Sequence, residues 1–103
     1  MLDTCYRVMA TTAKITRADF DADETFQFAL THLLQTIGRS AERVSDAARR
    51  EHPEIDWPNV IDLQNRVVRD NRKIVFDVVW RAANGEVQQL LTALEAFMPS
   101  DPP

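Results

Sequence analysis

Apolar side chains recur at helical spacing along most of this chain, and the spacing predicts a series of helices. Residues 2, 5, 6, 8, 9 and 15 are apolar, which indicates a first helix from Leu2 to about Ile15. The segment from Arg17 to Asp21 interrupts that pattern and is expected to be a break. A second helix is the clearest, because its apolar residues follow one another by three, four or seven positions. They are Phe26, Leu30, Leu33, Ile37, Ala41, Val44 and Ala48.

Two further helices follow a connector at residues 51–56. Pro58 suits the first turn of a third helix, which is expected to run to about Arg69. After a short break at 70–72, a fourth helix begins at Ile74 and extends to Phe97, with a kink or a split expected at 84–85. These helices and their short connections predict an all-α fold, an antiparallel four-helix bundle. The Val-rich segments at 67–68, 75 and 78–79 leave strands open as the alternative at those positions.

Two local features refine the second helix. Asp21-Ala22-Asp23-Glu24 has the spacing of a capping box, and its acids stabilise a helix start. Gly38 lies within the helix, where glycine costs about 1 kcal/mol relative to alanine. A close contact between two helices would explain this glycine, because it lets backbones approach each other.

Composition and charge narrow the functional classes. The 103 residues are enough for one domain, residues 1–103, with a frayed tail at 99–103. The net charge of −4 argues against a strongly basic protein that binds nucleic acid regardless of sequence. Cys5 is the sole cysteine, which excludes an internal disulfide and favours a reducing cytosol. The sequence shows neither a signal-peptide pattern nor a membrane-spanning apolar run, so a cytoplasmic protein is expected.

Four segments of the chain fit one family pattern together. Residues 34–41 contain a segment similar to L-x-x-I-G-E-A, residues 52–57 contain a P-x-I-x-W connector, and residues 63–71 align with M-R-N-R-L-I-H-x-Y. Val79-Trp80 stands where the same pattern carries V-W. The chain thus resembles the HepT-like proteins of the HEPN group. The resemblance implies an all-α homodimer with active sites beside the dimer interface. It also implies a ribonuclease toxin paired with an MNT-type nucleotidyltransferase antitoxin, which in studied cases modifies a tyrosine of the toxin with AMP groups.

The resemblance carries over residue by residue, and most of the positions that matter for chemistry are changed. The motif Arg falls on Gln64, the following Asn is kept as Asn65, and the motif His falls on Arg69. The tyrosine that receives AMP falls on Asn71, and the Glu of I-G-E-A falls on Arg39. Positions 64, 65 and 69 therefore form the family's catalytic motif in a degenerate state.

These substitutions remove the groups that would split a phosphodiester. A histidine exchanges protons near neutral pH, whereas the guanidinium of Arg69 stays charged. Gln64 donates a hydrogen bond but brings no charge to stabilise a phosphate transition state. Asn71 has no hydroxyl that AMP could modify. The sequence therefore predicts a HepT-like module of a toxin–antitoxin-type system with weakened or lost ribonuclease activity, which acts by dimerising and by binding a partner or RNA.

Basic residues near the motif are candidates for binding RNA phosphates. If the third helix persists far enough, three arginines at intervals of three and an adjacent lysine form one basic edge, and the second helix adds a pair. The candidates are Arg66, Arg69, Arg72 and Lys73, with Arg39 and Arg43 on the second helix. A solvated face with ion pairs to Asp62, Asp70 and Glu42 is the alternative. A further hypothesis is that an Arg–Glu pair of the family has been replaced on both sides, by Gln64 and Arg39.

An active enzyme is the alternative function. In that case the chain is a metal-independent endoribonuclease toxin neutralised by a nucleotidyltransferase antitoxin. Its chemistry would depend on rearranged residues, with Arg66 and Arg69 assisted by His32 or Asn65. Cleavage of RNA by the purified protein would separate this alternative from the degenerate module.

The histidines and tryptophans have simpler interpretations. His32 and His52 lack a partner at i+4 that would complete a metal site, so we expect neither a metal nor a cofactor. Trp57 is expected to anchor the start of a helix and Trp80 the core, although such rings also stack on bases. The expected partners are a second copy of the chain, a nucleotidyltransferase and RNA, with no membrane association.

Overall fold

The chain folds mainly into helices, as a computed structural model shows. The structure describes residues 1–69 and 73–97, with side chains at all of these positions except Arg69 and Phe97. Its helices are α1 (Leu2–Thr12), α2 (Arg17–Ala22), α3 (Glu24–Glu42), α4 (Asp46–Glu51), α5 (Trp57–Arg66), α6 (Phe76–Arg81) and α7 (Val87–Phe97). A π-helical turn, Ala82–Glu86, joins α6 to α7, and two short strands, β1 (Val68–Arg69) and β2 (Lys73–Ile74), pair antiparallel. The predicted all-α fold class is confirmed. Across the described ranges, no helix combines the length and apolar character needed to cross a membrane.

Helix α3 is the centre of the fold. It begins among the predicted acids, with Asp23 as its N-cap, whose side chain accepts from Thr25 N–H at 2.8 Å. The capping box expected over residues 21–24 does not form, because Asp21 belongs to α2. One face of α3 packs against α5 and α1, and α1 also packs against α7. The largest side chains that fill this interior without exposure are Phe20, Leu30, Leu34, Ile37, Leu63, Val8, Val67, Val79, Val87 and Cys5.

Gly38 is the point of closest approach between α3 and α5. A Cβ atom at this position would lie 2.9 Å from the backbone N of Gln64 and 2.9 Å from the carbonyl O of Ile61. Both of those atoms belong to the backbone, so they cannot rotate away as a side chain could. The close helix–helix contact predicted from this glycine is confirmed, and it fixes α5 against α3.

Two boundaries of the first half differ from the prediction because of local caps. The second helix was expected to reach Ala48, but α3 ends at Glu42 and a separate α4 begins after Ser45. The Ser45 hydroxyl accepts from Ala48 N–H at 3.2 Å, which starts a new helix. The break expected at 17–21 is wrong, since α2 occupies it. Thr16 and Asp19 form the capping box that begins α2.

The second half differs where a hairpin replaces helix. The third helix ends at Arg66 and not at position 69, and the fourth begins at Phe76 and not at position 74. Val75 N–H donates to the carbonyl O of Val67 at 2.9 Å, which closes the hairpin onto the end of α5. The strand alternative is therefore right for Val68, whereas positions 78–79 are helical. A kink or a split was expected at 84–85, and these residues lie in the π-helical turn between α6 and α7.

Both tryptophans support the fold, as predicted. Trp57 is 7% exposed, and its Nε1 donates to the carbonyl O of His52 at 3.1 Å. The half-buried ring of Trp80 packs with Phe20, at a centroid distance of 5.4 Å. Phe20 also meets Phe76 edge-on at 5.8 Å, so α2 is attached to α6 by aromatic contacts.

Candidate functional site

The motif segment comprises residues 63–71, and its described part, residues 63–69, runs from the last turn of α5 through β1. The strand register places Val68 opposite Ile74 and Arg69 opposite Lys73. Two basic residues of the sequence are therefore cross-strand neighbours. The predicted modification position, Asn71, and the predicted phosphate ligand Arg72 lie outside the described residues.

The side chain of Gln64 is hydrogen-bonded to Glu42, the last residue of α3. Its Nε2 donates a hydrogen bond to Oε2 of Glu42 at 2.9 Å, while its backbone contacts Gly38. Arg39, which the sequence suggests as the second half of a replaced Arg–Glu pair, is exposed and forms no ion pair within residues 1–69 and 73–97. Position 64 thus presents a neutral donor to a carboxylate that would also accept from a guanidinium.

Arg66 is engaged inside the chain. Its Nη1 and Nη2 donate to the two carboxylate oxygens of Glu86 at 3.0 and 2.7 Å, and Nη2 also donates to the carbonyl O of Asn59 at 3.1 Å. Nε lies 3.4 Å from Oδ2 of Asp62, without a hydrogen bond. Asn59 Nδ2 completes the arrangement by donating to Glu86 at 3.0 Å. The predicted ion pair between Arg66 and Asp62 is present, but Glu86 is the closer partner.

The electrostatics of this pair follow from the two-pronged contact. The hydrogen bond from Arg66 lowers the pKa of the Glu86 carboxyl, and burial opposes that shift. The same hydrogen bond raises the pKa of Arg66. Both groups therefore stay charged at neutral pH, and the side chain of Arg66 joins α5 to the π-helical turn.

The basic edge expected on the third helix does not form as one helical face. Helix α5 ends at Arg66, so position 69 follows in β1 and Lys73 lies in β2. Lys73 and Arg43 are exposed, as is Asn65. Neither Lys73 nor Arg43 forms an ion pair in the part of the chain that the structure describes. These cations remain candidates for phosphate binding, whereas Arg66 is already paired.

A surface depression lies between α3 and the hairpin, directly beside the motif segment. It encloses about 470 Å³. The side chains that line it are Phe28, Thr31, His32, Gln35, Val68 and Ile74. Phe28 is 59% exposed, which is unusual for a large apolar ring, and His32 is also exposed. The depression is therefore open to solvent and combines aromatic, polar and aliphatic side chains.

Several residues of this site are not among those predicted from the sequence. Glu86 lies in the π-helical turn, 20 residues from Arg66, and no periodicity links the two. Asn59 lies in α5 itself, two helical turns before Arg66, so it shares a helix face with Arg66. Phe28 and Gln35 carried a readable signal, since with His32 and Arg39 they recur at i, i+4, i+7 and i+11. That spacing places them on one helix face, which is mainly polar and differs in this from the apolar stripe.

Two other kinds of chemistry have little support in the structure. Burial raises the pKa of the Cys5 thiol to about 11, so this cysteine is not a thiolate at neutral pH. Among the described residues, no three His, Cys, Asp or Glu side chains lie together as a metal site would require.

Together, the helical fold and the motif segment define a small all-α protein with a candidate site at a helix–hairpin junction. The family model described as "Ribonuclease HepT-like" matches residues 1–97, and the chain belongs to this HepT-like ribonuclease family. A protein of Thermococcus cleftensis named "Probable ribonuclease HepT" is 25% identical over 79 residues, which are 77% of this chain and 72% of that protein. "Putative RNase MJ1380" of Methanocaldococcus jannaschii is 19% identical over 95 residues, 92% of this chain and 87% of the relative. No solved structure matches significantly.

Proposed function

We propose that this chain is a HepT-like module of a toxin–antitoxin-type system whose ribonuclease activity is weakened or lost. It acts by forming a homodimer and by binding RNA or a nucleotidyltransferase partner. The observation that carries the proposal is the state of the motif. A neutral Gln64, hydrogen-bonded to Glu42 at 2.9 Å, stands at the position of the motif Arg, and Arg69 stands at that of the motif His.

The loss of the histidine supports weak catalysis most directly. Cleavage of RNA without a metal needs a group that takes the ribose 2′-hydroxyl proton or protonates the leaving oxygen. A guanidinium stays protonated at every accessible pH, so Arg69 can do neither. General acid–base catalysis typically contributes about 10²–10⁴-fold to a rate.

The loss of positive charge at position 64 adds to that deficit. A preorganised donor at the transition state is worth about 3 kcal/mol, and a charged donor is stronger than a neutral one. The nearby Arg66 is a poor substitute, because its guanidinium is held by both carboxylate oxygens of Glu86.

The proposed partner requires a changed mode of control. The position at which the family's tyrosine receives AMP is Asn71, which has no hydroxyl. We therefore propose that a nucleotidyltransferase of the MNT type, if encoded beside this chain, binds it without transferring AMP to that position. Mass spectrometry of the protein after incubation with that partner and ATP should show an unmodified chain.

The second candidate function is an active endoribonuclease, and one observation favours it. His32 lines the same depression as Val68, the residue immediately before Arg69. An imidazole therefore lies beside the motif segment, although on α3 and not in the motif itself. In this case Arg69, Arg66 and Asn65 would supply the remaining contacts to the phosphate and the ribose.

A cleavage assay on total RNA tests the two candidates. We expect no cleavage by the purified wild-type protein beyond that of a buffer control. The double substitution Gln64→Arg/Arg69→His should restore cleavage by roughly 10²-fold or more, since it returns both a charge and a proton carrier. Gln64→Ala/Arg69→Ala is the matched control and should remain inactive.

The opposite outcome is equally well defined. Wild-type cleavage that is lost in both His32→Gln and Arg69→Ala would replace the degenerate module by the active enzyme. Sedimentation of the wild-type protein measures the remaining part of the proposal. A doubled mass is expected, and a strict monomer at micromolar concentration would contradict homodimerisation.

A further inference from the structure

The exposed side of α3 carries an aromatic ring, an imidazole, a carboxamide and a guanidinium in one row. They belong to Phe28, His32, Gln35 and Arg39, and the first three line the depression beside the motif segment. We propose that this depression binds one unstacked base of single-stranded RNA, with Phe28 as the stacking platform. The inference rests on the proposed RNA-binding function and assigns it a site.

Phe28 has the exposure and the surroundings of a stacking residue. Its side chain is 59% exposed, whereas that of the preceding residue, Gln27, points into the interior and is buried. Val68 and Ile74 of the hairpin are partly buried and provide an apolar floor next to the ring. A volume of about 470 Å³ falls within the range of roughly 300–1,000 Å³ that is usual for small-ligand pockets, and it accommodates a base and its ribose.

The polar lining residues can read the edge of such a base. The Thr31 hydroxyl is already used, because it donates to the carbonyl O of Gln27 at 2.7 Å. The side chains of His32 and Gln35 line the depression and make no hydrogen bond within the described residues, so their donors and acceptors are available to a ligand. An imidazole offers one donor and one acceptor when neutral, and a carboxamide offers both types as well. This combination suits the mixed donors and acceptors of a nucleobase.

The lining of the depression and two exposed cations beside it are compatible with an anionic ligand. No carboxylate is among the described side chains that line it. Arg39 lies one helical turn beyond Gln35, and Lys73 precedes Ile74 in β2, and both cations are exposed. They are placed to contact the phosphates on either side of a bound nucleotide. A local positive rim of this kind is compatible with the negative charge of the whole chain.

A second copy of the chain is a weaker occupant of the same surface. Half of the lining residues are polar, whereas the buried centre of a homodimer interface is mainly apolar. In a two-fold dimer the same patch meets itself, so Arg39 and Lys73 of both copies would approach each other without an acid in the lining. RNA avoids this repulsion because its phosphates neutralise the cations.

The test measures binding of the full chain to fluorescent single-stranded RNA, with oligouridine and oligoadenosine as the two probes. Stacking on one aromatic side chain accounts for roughly a 5- to 150-fold difference in Kd, so Phe28→Ala should weaken binding to that extent. Phe28→Trp should retain or improve affinity. Tyr6→Ala is the matched control, because Tyr6 is another exposed aromatic residue, 44% exposed, on a different helix.

Two further readouts locate the site. Arg39→Ala/Lys73→Ala should lower the dependence of log Kd on log salt by about 1.4, which corresponds to two phosphate contacts on a single strand. Oligouridine that contains 5-iodouridine should crosslink to the peptide that carries Phe28. A crosslink elsewhere, or unchanged affinity in Phe28→Ala, would overturn the proposed base site while RNA binding by the module remained.

A different outcome would identify the depression as a protein interface. Phe28→Ala would then halve the mass in sedimentation without changing the RNA affinity. This result would overturn the base site and support the homodimer of the proposed function. Wild-type protein that binds neither probe would overturn the base site and the RNA-binding part of the proposed function together.

Discussion

The two sides of the motif segment differ sharply in how their polar groups are used. On the anchored side, formed by Gln64 and Arg66 with Glu42 and Glu86, each motif side chain donates to a carboxylate of another element. On the open side, formed by the depression next to β1, the side chains of Phe28 and His32 are exposed to solvent. The anchored side therefore resembles a structural joint, and the open side resembles a binding surface.

This difference separates two uses of charge in one short segment. Arg66 contributes to the fold because its hydrogen bonds to Glu86 are already made before any ligand arrives. A phosphate would have to displace that carboxylate, which costs the existing contacts. The exposed cations Arg39 and Lys73 have no such competitor in the described part of the chain. Substitutions on the anchored side should thus change stability, and those on the open side should change binding.

Among substitutions around the motif segment, the largest loss of stability is expected where the backbones of α3 and α5 touch. Gly38→Ala introduces a Cβ at 2.9 Å from two backbone atoms of α5. Overpacking of this kind costs about 1–3 kcal/mol or more, and the better helix propensity of alanine returns about 1 kcal/mol at most. We expect a net loss of about 2 kcal/mol in the free energy of unfolding, measured by urea denaturation followed by circular dichroism.

Gly85→Ala is the matched control for that substitution. A Cβ at Gly85 meets nothing within 4 Å, so this change should leave stability unaltered or raise it by up to about 1 kcal/mol. Equal losses in the two variants would show that the contact between α3 and α5 is looser than the structure indicates.

The ion pair of the anchored side gives the next largest effect. Glu86→Gln keeps the shape but removes the charge that faces Arg66. Hydrogen bonds to charged groups contribute about 1.5–3 kcal/mol, and partial exposure of both side chains reduces this to about 1–2 kcal/mol at neutral pH. Asp62→Asn should cost less, because Asp62 is more exposed and lies farther from the guanidinium.

The same pair predicts a pH dependence with a definite sign. The folded-state pKa of Glu86 is lower than its ordinary value of 4.5, so the pair's contribution is fully present above pH 4.5. It is lost as the pH falls through the lower folded-state value. The stability difference between wild type and Glu86→Gln should therefore be constant from pH 5 to 7 and should shrink below pH 4.5. A difference that grew on acidification would contradict the assigned pair.

On the anchored side, the sequence predicts features that depend on neighbouring residues, but not contacts between residues far apart in the chain. Gly38 was interpretable because its position within a periodic helix implies a close neighbour. Ser45 and Thr16 are also typical N-cap residues. The apolar periodicity that continues to Ala48 nevertheless favours one uninterrupted helix through Ser45. The pairing of Arg66 with Glu86 was not accessible, since 20 residues separate them and only the packing of α5 on the π-helical turn brings them together.

The open side shows a different limit of sequence reasoning. Propensity alone allows a strand at Val68, but the shortness of the Val-rich segment and its helical surroundings favour a helix there. The polar face of α3 carries Phe28, His32, Gln35 and Arg39. Exposed residues on such a face are common, so the sequence alone does not mark them as a site. Its significance arises only when the hairpin places Val68 and Ile74 against it.

A smaller effect is expected from restoring charge at position 64 alone. Gln64→Arg would bring a guanidinium to Glu42, which already accepts a hydrogen bond at 2.9 Å. Ion pairs near the surface contribute at most about 1 kcal/mol, so stability should rise by that amount or less at low salt. A double-mutant cycle with Glu42→Gln measures the coupling, which should decrease in high salt. A cycle with zero coupling would place the new side chain away from α3.

The smallest change in stability is expected from Phe28→Ala on the open side. The ring is more than half exposed, so its removal should alter the free energy of unfolding by no more than about 0.5 kcal/mol. Leu30→Ala, two positions along the same helix, is the matched control, because Leu30 has no exposure and its truncation should cost about 2–5 kcal/mol. A loss above 1 kcal/mol in Phe28→Ala would mean that the ring supports the hairpin, and weaker RNA binding could then reflect a disturbed fold. An unchanged urea midpoint together with reduced RNA affinity would show that the ring stabilises the RNA complex and not the folded chain. This is the property that distinguishes the open side from the anchored side.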